Sequence, residues 1–337
     1  PQARAVAEKF GTEHHELHIH GGELPPVIEA LLTHHDQPFG DAANIPLFLL
    51  CRHLAGQVKV ILQGDGGDEM FGGYRRYTRL RHQRIMSLLS PFAAGLRSFL
   101  PSSSVAYRSL RTLHALQAPH PAKQMALLMS QEPPDQPPER LFSGAVQAEL
   151  LSTNPFQRYE QLFQQVSAND PVQRMLYIDS SIILPDLYFE KVDRATMAHG
   201  IEVRVPMVDT RLSRYAMSLP SHYKASGFQL KRVLRRALRG VVPDSILDSP
   251  KRGFGVPVSA WLRGPLAGYL QSVLLDSSTH DLGLFDSASL QRCIQEHLSG
   301  RRDHGSLLYK LLQLTLWHRF YLQENACASP AATTNAA

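Results

Sequence analysis

The spacing of apolar positions along this chain predicts helices and strands in alternation near its start. Gln2 to Phe10 has helix-forming composition and stops at Gly11. His14 to His20, His-His-Glu-Leu-His-Ile-His, alternates polar and apolar residues with the period of a half-buried strand. Leu24 to Leu32 predicts a helix introduced by Pro25 and Pro26. Ile45 to Leu54 is apolar almost all round, so that helix is expected to lie buried against a sheet. Val58 to Leu62 is β-branched and apolar and reads as a buried strand. Helix, strand, helix, strand is the doubly wound α/β pattern.

Beyond Tyr74 the pattern becomes helical. Arg75, Arg76, Arg79, Arg81 and Arg84 crowd one predicted helix, mostly as a solvated face. Ser90 to Glu139 is Pro-, Ser- and Ala-rich helical material ending in Glu-Pro-Pro-Asp-Gln-Pro-Pro138, a loop or hinge of restricted backbone. Met175 to Leu184 is an apolar helix interrupted by Asp179 and Ser180. Gln229 to Arg239 is an amphipathic basic helix, apolar at Leu230, Val233, Leu234, Ala237 and Leu238. Helices near Leu290 to Leu298 and Leu307 to Leu322 follow, and Ala326 to Ala337 is a low-complexity tail expected to be disordered.

Composition narrows the class. The 337 residues, 43% hydrophobic, suffice for one large domain or two. Lys plus Arg at 35 against Asp plus Glu at 30 gives +5, which suits an enzyme handling anionic phosphates at least as well as a nucleic-acid binder. The chain carries no aromatic-basic RNA signature and no zinc-finger spacing, so no nucleic-acid partner is expected. Three cysteines, Cys51, Cys293 and Cys327, are odd in number and far apart, as in a reducing, cytoplasmic protein. No run approaches eighteen apolar residues, so no membrane span is expected. His14, His15, His18 and His20 lie too close in sequence to converge on a metal without other ligands, and are expected to be structural or surface histidines. The chain begins at Pro1 without Met or a signal-peptide pattern and reads as a fragment.

The candidate chemistry starts where the Val58–Leu62 run stops. Gln63-Gly-Asp-Gly-Gly-Asp-Glu-Met-Phe-Gly-Gly-Tyr74 sets Asp65, Asp68 and Glu69 among five glycines, with a helix starting at Asp68 or Glu69. Read plainly, this is a strand-to-helix turn with an acidic cap. Glycines also let backbone approach a ligand, and three clustered carboxylates repel unless a cation compensates. That density favours a metal–phosphate site at a strand end. A second region, Tyr188 to Asp209, sets Lys191, Asp193, Arg194, Glu202 and Arg204 among apolar neighbours, where they must pair with each other or with a ligand. In the His34–Asp41 connector, Asp36 and Asp41 face the crevice or cap the next helix, and the sequence leaves both open.

These blocks resemble the asparagine synthetases, specifically their synthetase domain. That family carries Ser-Gly-[Glu/Asp]-Gly-[Ala/Ser/Gly]-Asp-Glu-x-Phe-x-Gly-Tyr, which here begins with Gln63 in place of Ser and has Asp65 where Glu is common. Lys191 to Asp209 is similar to its Lys-x-Asp-Arg block, departing at Met207 for Phe. Lys231 matches a family lysine at a helix start, and Pro250 to Pro257 with Trp261 matches a Gly-Phe signature. The Gly-Thr-x-His-His-Glu strand of the family resembles the first histidine run.

The resemblance implies a Rossmann-like parallel sheet of the ATP pyrophosphatase type with a large, mostly helical C-terminal part. It covers about residues 1–323 as one synthetase domain, leaving 324–337 as the tail. It implies ATP and Mg²⁺ as cofactors and AMP-forming synthesis of an amide from aspartate or a similar carboxylate. Asp68 and Glu69 would hold the metal, and Gln63, Gly64, Gly66 and Gly67 would lie along the nucleotide. Asp65, Lys231, Tyr74 and Arg194 would act in catalysis. The partner implied is a glutaminase domain supplying ammonia, which this chain does not contain, and the intact protein could form a homodimer. The family's Ser-Gly-Gly-x-Asp-Ser pyrophosphate loop does not occur in the chain, so the chain alone is expected to be inactive. Two alternatives stand beside this. One is a related enzyme acting on another carboxylate in a polysaccharide or natural-product pathway, as in β-lactam synthetases, where an internal amine is activated by a Tyr–Glu pair; Tyr74 matches one half, and the sequence identifies no Glu partner. The other is a catalytically silent fragment.

Overall fold

The computed structural model describes residues 2–19, 21–83, 105–130, 137–250, 253 and 255–324. The Pro-rich hinge across 131–136, Arg84, the expected helical material from Ser90 to 104, Lys251, Arg252 and Phe254 of the Gly-Phe block, and the Ala326–Ala337 tail lie outside the described residues. The fold is α/β and helix-rich. The chain divides into two compact units, Pro1–His18 with Leu50–Pro134 and Asn154–Gly255, and Ile19–Leu49 with Asp135–Thr153 and Val256–Ala337.

The first unit holds the sheet. Strand β1 (Val60–Leu62) pairs in parallel with β2 (Glu202–Arg204), in the register Val60 to Glu202, Ile61 to Val203 and Leu62 to Arg204. The ladder extends one residue each way, Glu202 N–H donating to the Lys59 carbonyl at 2.8 Å and Gln63 N–H to the Arg204 carbonyl at 2.9 Å. Parallel neighbours need a long crossover, and a helical layer supplies it. The expected buried strand is not buried: Ile61 is partly covered, but Leu62 is 73% exposed and Val60 is exposed too. A parallel strand is buried when layers cover both faces, and this sheet has two strands among the described residues. The expected strand from His14 is likewise irregular and exposed, because alternation makes a strand only where a partner completes the ladder. Its histidines meet carboxylates instead, His14 with Glu16 and His15 with Glu13, both at 3.1 Å.

The unit's helices share an apolar cluster that includes Tyr77, Leu80, Val172, Met175, Leu176 and Ile178, from the Arg75–Arg81 and Pro171–Ser181 helices. The second of these starts where Asp170 accepts from the Val172 N–H at 2.8 Å, with Pro171 in the first turn. A smaller cluster, Met70, Phe71, Leu184 and Ala216, anchors the Gly67–Phe71 helix. Cys51 is buried as expected, and burial pushes its thiol up to about 11.

The second unit is helical. Its axis is the Gly305–His318 helix, buried at Leu307, Leu308, Leu311 and Leu312 and packed against the Leu24–His35, Val258–Arg263 and Ala267–Leu274 helices. Asp41 accepts from the Ala43 N–H at 3.0 Å and so caps the Asn44–Leu54 helix. Asp36 ends the preceding helix in the left-handed conformation and accepts from the Tyr321 hydroxyl at 3.1 Å. Among the described residues no helix is long and apolar enough to cross a membrane.

Candidate active site

The site grows from the end of β1. The backbone leaves the strand at Gln63 and turns at Gly66, whose φ of 85° an L side chain rarely adopts and whose added Cβ would overlap Val208. A five-residue helix, Gly67–Phe71, follows and ends at Gly72. Met70 and Phe71 bury its inner face, so Asp68 falls on the side facing Lys231. Lys231 Nζ lies 3.2 Å from Asp68 Oδ1, with both side chains about three-quarters buried.

Two backbone features hold this pair. Lys231 itself adopts φ 52°, one of two non-glycine residues with positive φ among those described, and caps the Arg232–Ala237 helix. A left-handed lysine costs about 1 kcal/mol or more and persists only where its surroundings fix it. Its N–H donates to the Gly72 carbonyl at 3.3 Å, tying the two segments together. Gly73 then passes so close that a Cβ there would overlap Asp68 Oδ1 and Lys231 Cε. The expected eleven-residue basic helix is therefore shorter, and Lys231 stands outside its apolar stripe.

Glu69 turns the other way. Its carboxylate is 1% exposed and accepts from the Tyr74 hydroxyl, which also lies 3.0 Å from the Tyr188 hydroxyl. Burial pushes the Glu69 carboxyl above the usual carboxylate range, against the lowering effect of the Tyr74 hydrogen bond. Burial, then the charge of Glu69, drives the Tyr74 phenol well above its ordinary value. Cations cover both rings: the Arg76 guanidinium carbon stands 3.8 Å from the Tyr74 ring centroid, and Lys191 Nζ 4.8 Å from that of Tyr188. Arg76 is fixed in turn by Asp179, at 3.0 and 2.8 Å, and the same carboxylate oxygen accepts from Tyr77 at 2.6 Å.

The remaining expected residues divide. Gln63 Nε2 donates to Asp65 Oδ2 at 2.8 Å, so these two meet at the strand end. Gly64 has open space around it. Arg194 pairs with Glu190 at 3.0 Å, one turn back on its own helix, and Arg204 with Glu202 at 2.8 Å on β2. Glu69, expected on a metal beside Asp68, is the carboxylate partner of Tyr74 that the sequence did not identify. Tyr188 was missed as a site residue; it sits in a π-helical turn, Leu184–Phe189, a geometry common at functional sites. Lys224, which the sequence did not single out, packs beside Gly72. It is wholly buried, its Nζ makes no hydrogen bond among the described residues, and burial pulls its pKa down to about 8 despite Asp170. A lysine in a short polar helix gives no sequence signal for that.

No group of three or more His, Cys, Asp or Glu side chains among the described residues converges as a metal site. The donor set still fits Mg²⁺, which takes one or two protein carboxylates and completes its shell with phosphate oxygens and water. Asp68 offers that carboxylate with a lysine beside it.

A glycine-wrapped helix at a parallel strand end, with Asp68 facing Lys231, occupies the place where open α/β sheets bind their ligands. The family model described as asparagine synthase matches residues 1–319, and the chain belongs to that family. It is 32% identical to a Mycobacterium tuberculosis protein named provisionally as a glutamine-hydrolysing asparagine synthetase, over 96% of this chain and 49% of that one. It is 26% identical to asparagine synthetase (glutamine-hydrolysing) 1 of Bacillus subtilis, over 96% and 50%. It is 23% identical to the amidase chyE of Penicillium rubens, over 90% and 48%. The chain thus spans about half the length of the curated relatives it matches.

Proposed function

We propose that the protein carrying this chain forms an amide from a carboxylate and ammonia with consumption of ATP to AMP and pyrophosphate, aspartate being the carboxylate and this chain supplying the synthetase part. The observation that carries the reading is the Asp68–Lys231 pair held at 3.2 Å by two close-passing backbone segments at the end of β1. In this reading the sheet belongs to a Rossmann-like layer of the ATP pyrophosphatase type, residues 1–323 act as one synthetase domain, and Gln63 to Gly67 run along the nucleotide. A carboxylate oxygen attacks the α-phosphorus, the bond to pyrophosphate breaks, and an acyl-adenylate remains. Ammonia then attacks the acyl carbon, AMP leaves, and the nitrogen loses a proton.

Each residue has a physical task. Two anions must meet in the first step, so charge neutralisation and alignment dominate. Lys231 neutralises the departing pyrophosphate, and Asp68 would hold Mg²⁺, which supplies further charge neutralisation on the phosphates. Asp65, held by the Gln63 amide at the end of β1, assists adenylate formation or its ammonolysis in this reading. Arg194 keeps a supporting role through its helix. The relatives are named as glutamine-hydrolysing, so a glutaminase partner is part of this proposal.

The Tyr74–Glu69 hydrogen bond favours a second reading, in which the nitrogen is an amine other than ammonia. A buried carboxylate on a phenol is the arrangement that could take a proton from an ammonium nucleophile, and the amidase-named relatives are compatible with it. Two substitutions test the first reading. Lys231→Ala should slow ATP–pyrophosphate exchange by about 3 kcal/mol, roughly a hundredfold, with folding little changed. Lys231→Gly should do the same while relieving the φ strain, and because glycine also frees the unfolded chain, stability should move by less than about 1 kcal/mol. Exchange at the parental rate in either variant would remove Lys231 from the chemistry.

A further inference from the structure

The two segments that meet at the site also border a cavity. It has a volume of about 690 Å³ and is lined by Arg75, Arg79 and His82 from one helix and by Phe228, Arg235 and Asp248 from the other side. That volume suits a small organic molecule. We propose that it binds an anionic small molecule through phosphate or carboxylate groups, at a site separate from the Asp68–Lys231 pair.

Charge is the first argument. Three arginines and a histidine line the space, against one carboxylate. That carboxylate is committed elsewhere: Arg239 donates to both oxygens of Asp248, through Nη1 at 2.8 Å and through Nη2. Arg239 does not line the cavity, so the lining keeps an excess of positive charge. Ordinary surface arginines spread into water. Arg79 and Arg235 are half-buried instead, and Arg79 is crowded by Arg111 and Arg75. Burial, and then that crowding, lowers the Arg79 pKa, as expected of a cation with no carboxylate paired to it among the described residues. Guanidinium forks suit planar carboxylates and phosphates, to which they can bond in pairs.

The second argument is Phe228. It is 97% exposed at the rim, in the turn between Ser226 and Gln229, which pair by two backbone hydrogen bonds of 3.0 Å. A phenylalanine on so tight a turn gains nothing from the fold. It does offer a flat apolar face to a ligand whose charged end meets the arginines. The inference stands apart from the reaction assigned to Asp68 and Lys231.

Isothermal titration calorimetry of the full chain in magnesium-free, low-salt buffer, with inorganic phosphate and citrate as probes, tests it. Saturable binding of at least one probe at about 1 mM or below is expected. Arg79→Gln with Arg235→Gln should weaken it about tenfold or more, and Lys231→Ala should leave it within about threefold. Arg75 is exposed, so Arg75→Glu keeps the fold and should weaken binding similarly even if the double variant does not fold. The tighter probe shows whether phosphate or carboxylate is the natural group. No saturable binding of either probe overturns the proposal. So does binding lost in Lys231→Ala but kept in Arg75→Glu, which would put the anion at Asp68–Lys231.

Discussion

Replacing Gly73 with alanine perturbs the centre of the site through one methyl group. The backbone there is not left-handed, so alanine brings no conformational penalty of its own. Its Cβ would overlap Asp68 Oδ1 and Lys231 Cε and come within 2.6 Å of Asp68 Cγ. Asp68 and Lys231 must therefore rotate apart. Losing a partly solvated ion pair costs at most about 1 kcal/mol once solvent screening is allowed for. A Gly→Ala change gains about 0.4–1 kcal/mol by restricting the unfolded chain. The two nearly cancel, so thermal or urea unfolding should move by less than about 1 kcal/mol. Catalysis should not cancel. One misplaced clamp on a developing phosphate charge costs about 3 kcal/mol, roughly a hundredfold in ATP–pyrophosphate exchange. Exchange within about threefold of the parent would show that the pair is not part of the chemistry, and a stability loss above about 3 kcal/mol would make it structural.

Three further outcomes follow from the same geometry. Gly64 has open space around it, so Gly64→Ala should leave the melting temperature unchanged while weakening ATP binding, read by nucleotide titration, by about tenfold. Asp179 is buried under Arg76 and Tyr77, so Asp179→Asn should destabilise by about 3–5 kcal/mol in urea unfolding, because it leaves a buried guanidinium uncompensated. Lys224 has its pKa pulled from 10.5 to about 8 in the folded state, so the folded chain is penalised while that lysine is charged. Stability should rise as pH rises from about 8 towards 10.5, and Lys224→Met should flatten that rise and add about 3 kcal/mol at neutral pH. A pH-independent urea midpoint in the parent would contradict it.

Local signals carried much of this architecture. The first helix runs Gln2–Phe10 as its composition and Gly11 indicate, and the Gly67–Phe71 helix starts one residue from the expected place. Asp68 and Lys231, far apart in sequence and in separate blocks, lie 3.2 Å apart. What sequence could not supply was long-range geometry. Strand burial depends on neighbouring layers, so apolar Leu62 could be read as buried and yet be exposed. Glu69 and Asp68 are adjacent carboxylates, and only the packing of Met70 and Phe71 decides that one turns to Tyr74 and the other to Lys231. The π-turn that brings Tyr188 to Tyr74 leaves no compositional mark, and neither does the left-handed backbone at Lys231.

The most direct test of the central proposal follows oxygen. Aspartate labelled with ¹⁸O in its side-chain carboxylate is turned over with ATP and ammonia by the protein carrying this chain, and the AMP is analysed by mass spectrometry. Attack of the carboxylate on the α-phosphorus predicts one labelled oxygen in each AMP formed. Unlabelled AMP, or label in inorganic phosphate with ADP as product, would contradict an acyl-adenylate and with it the roles given to Asp68 and Lys231.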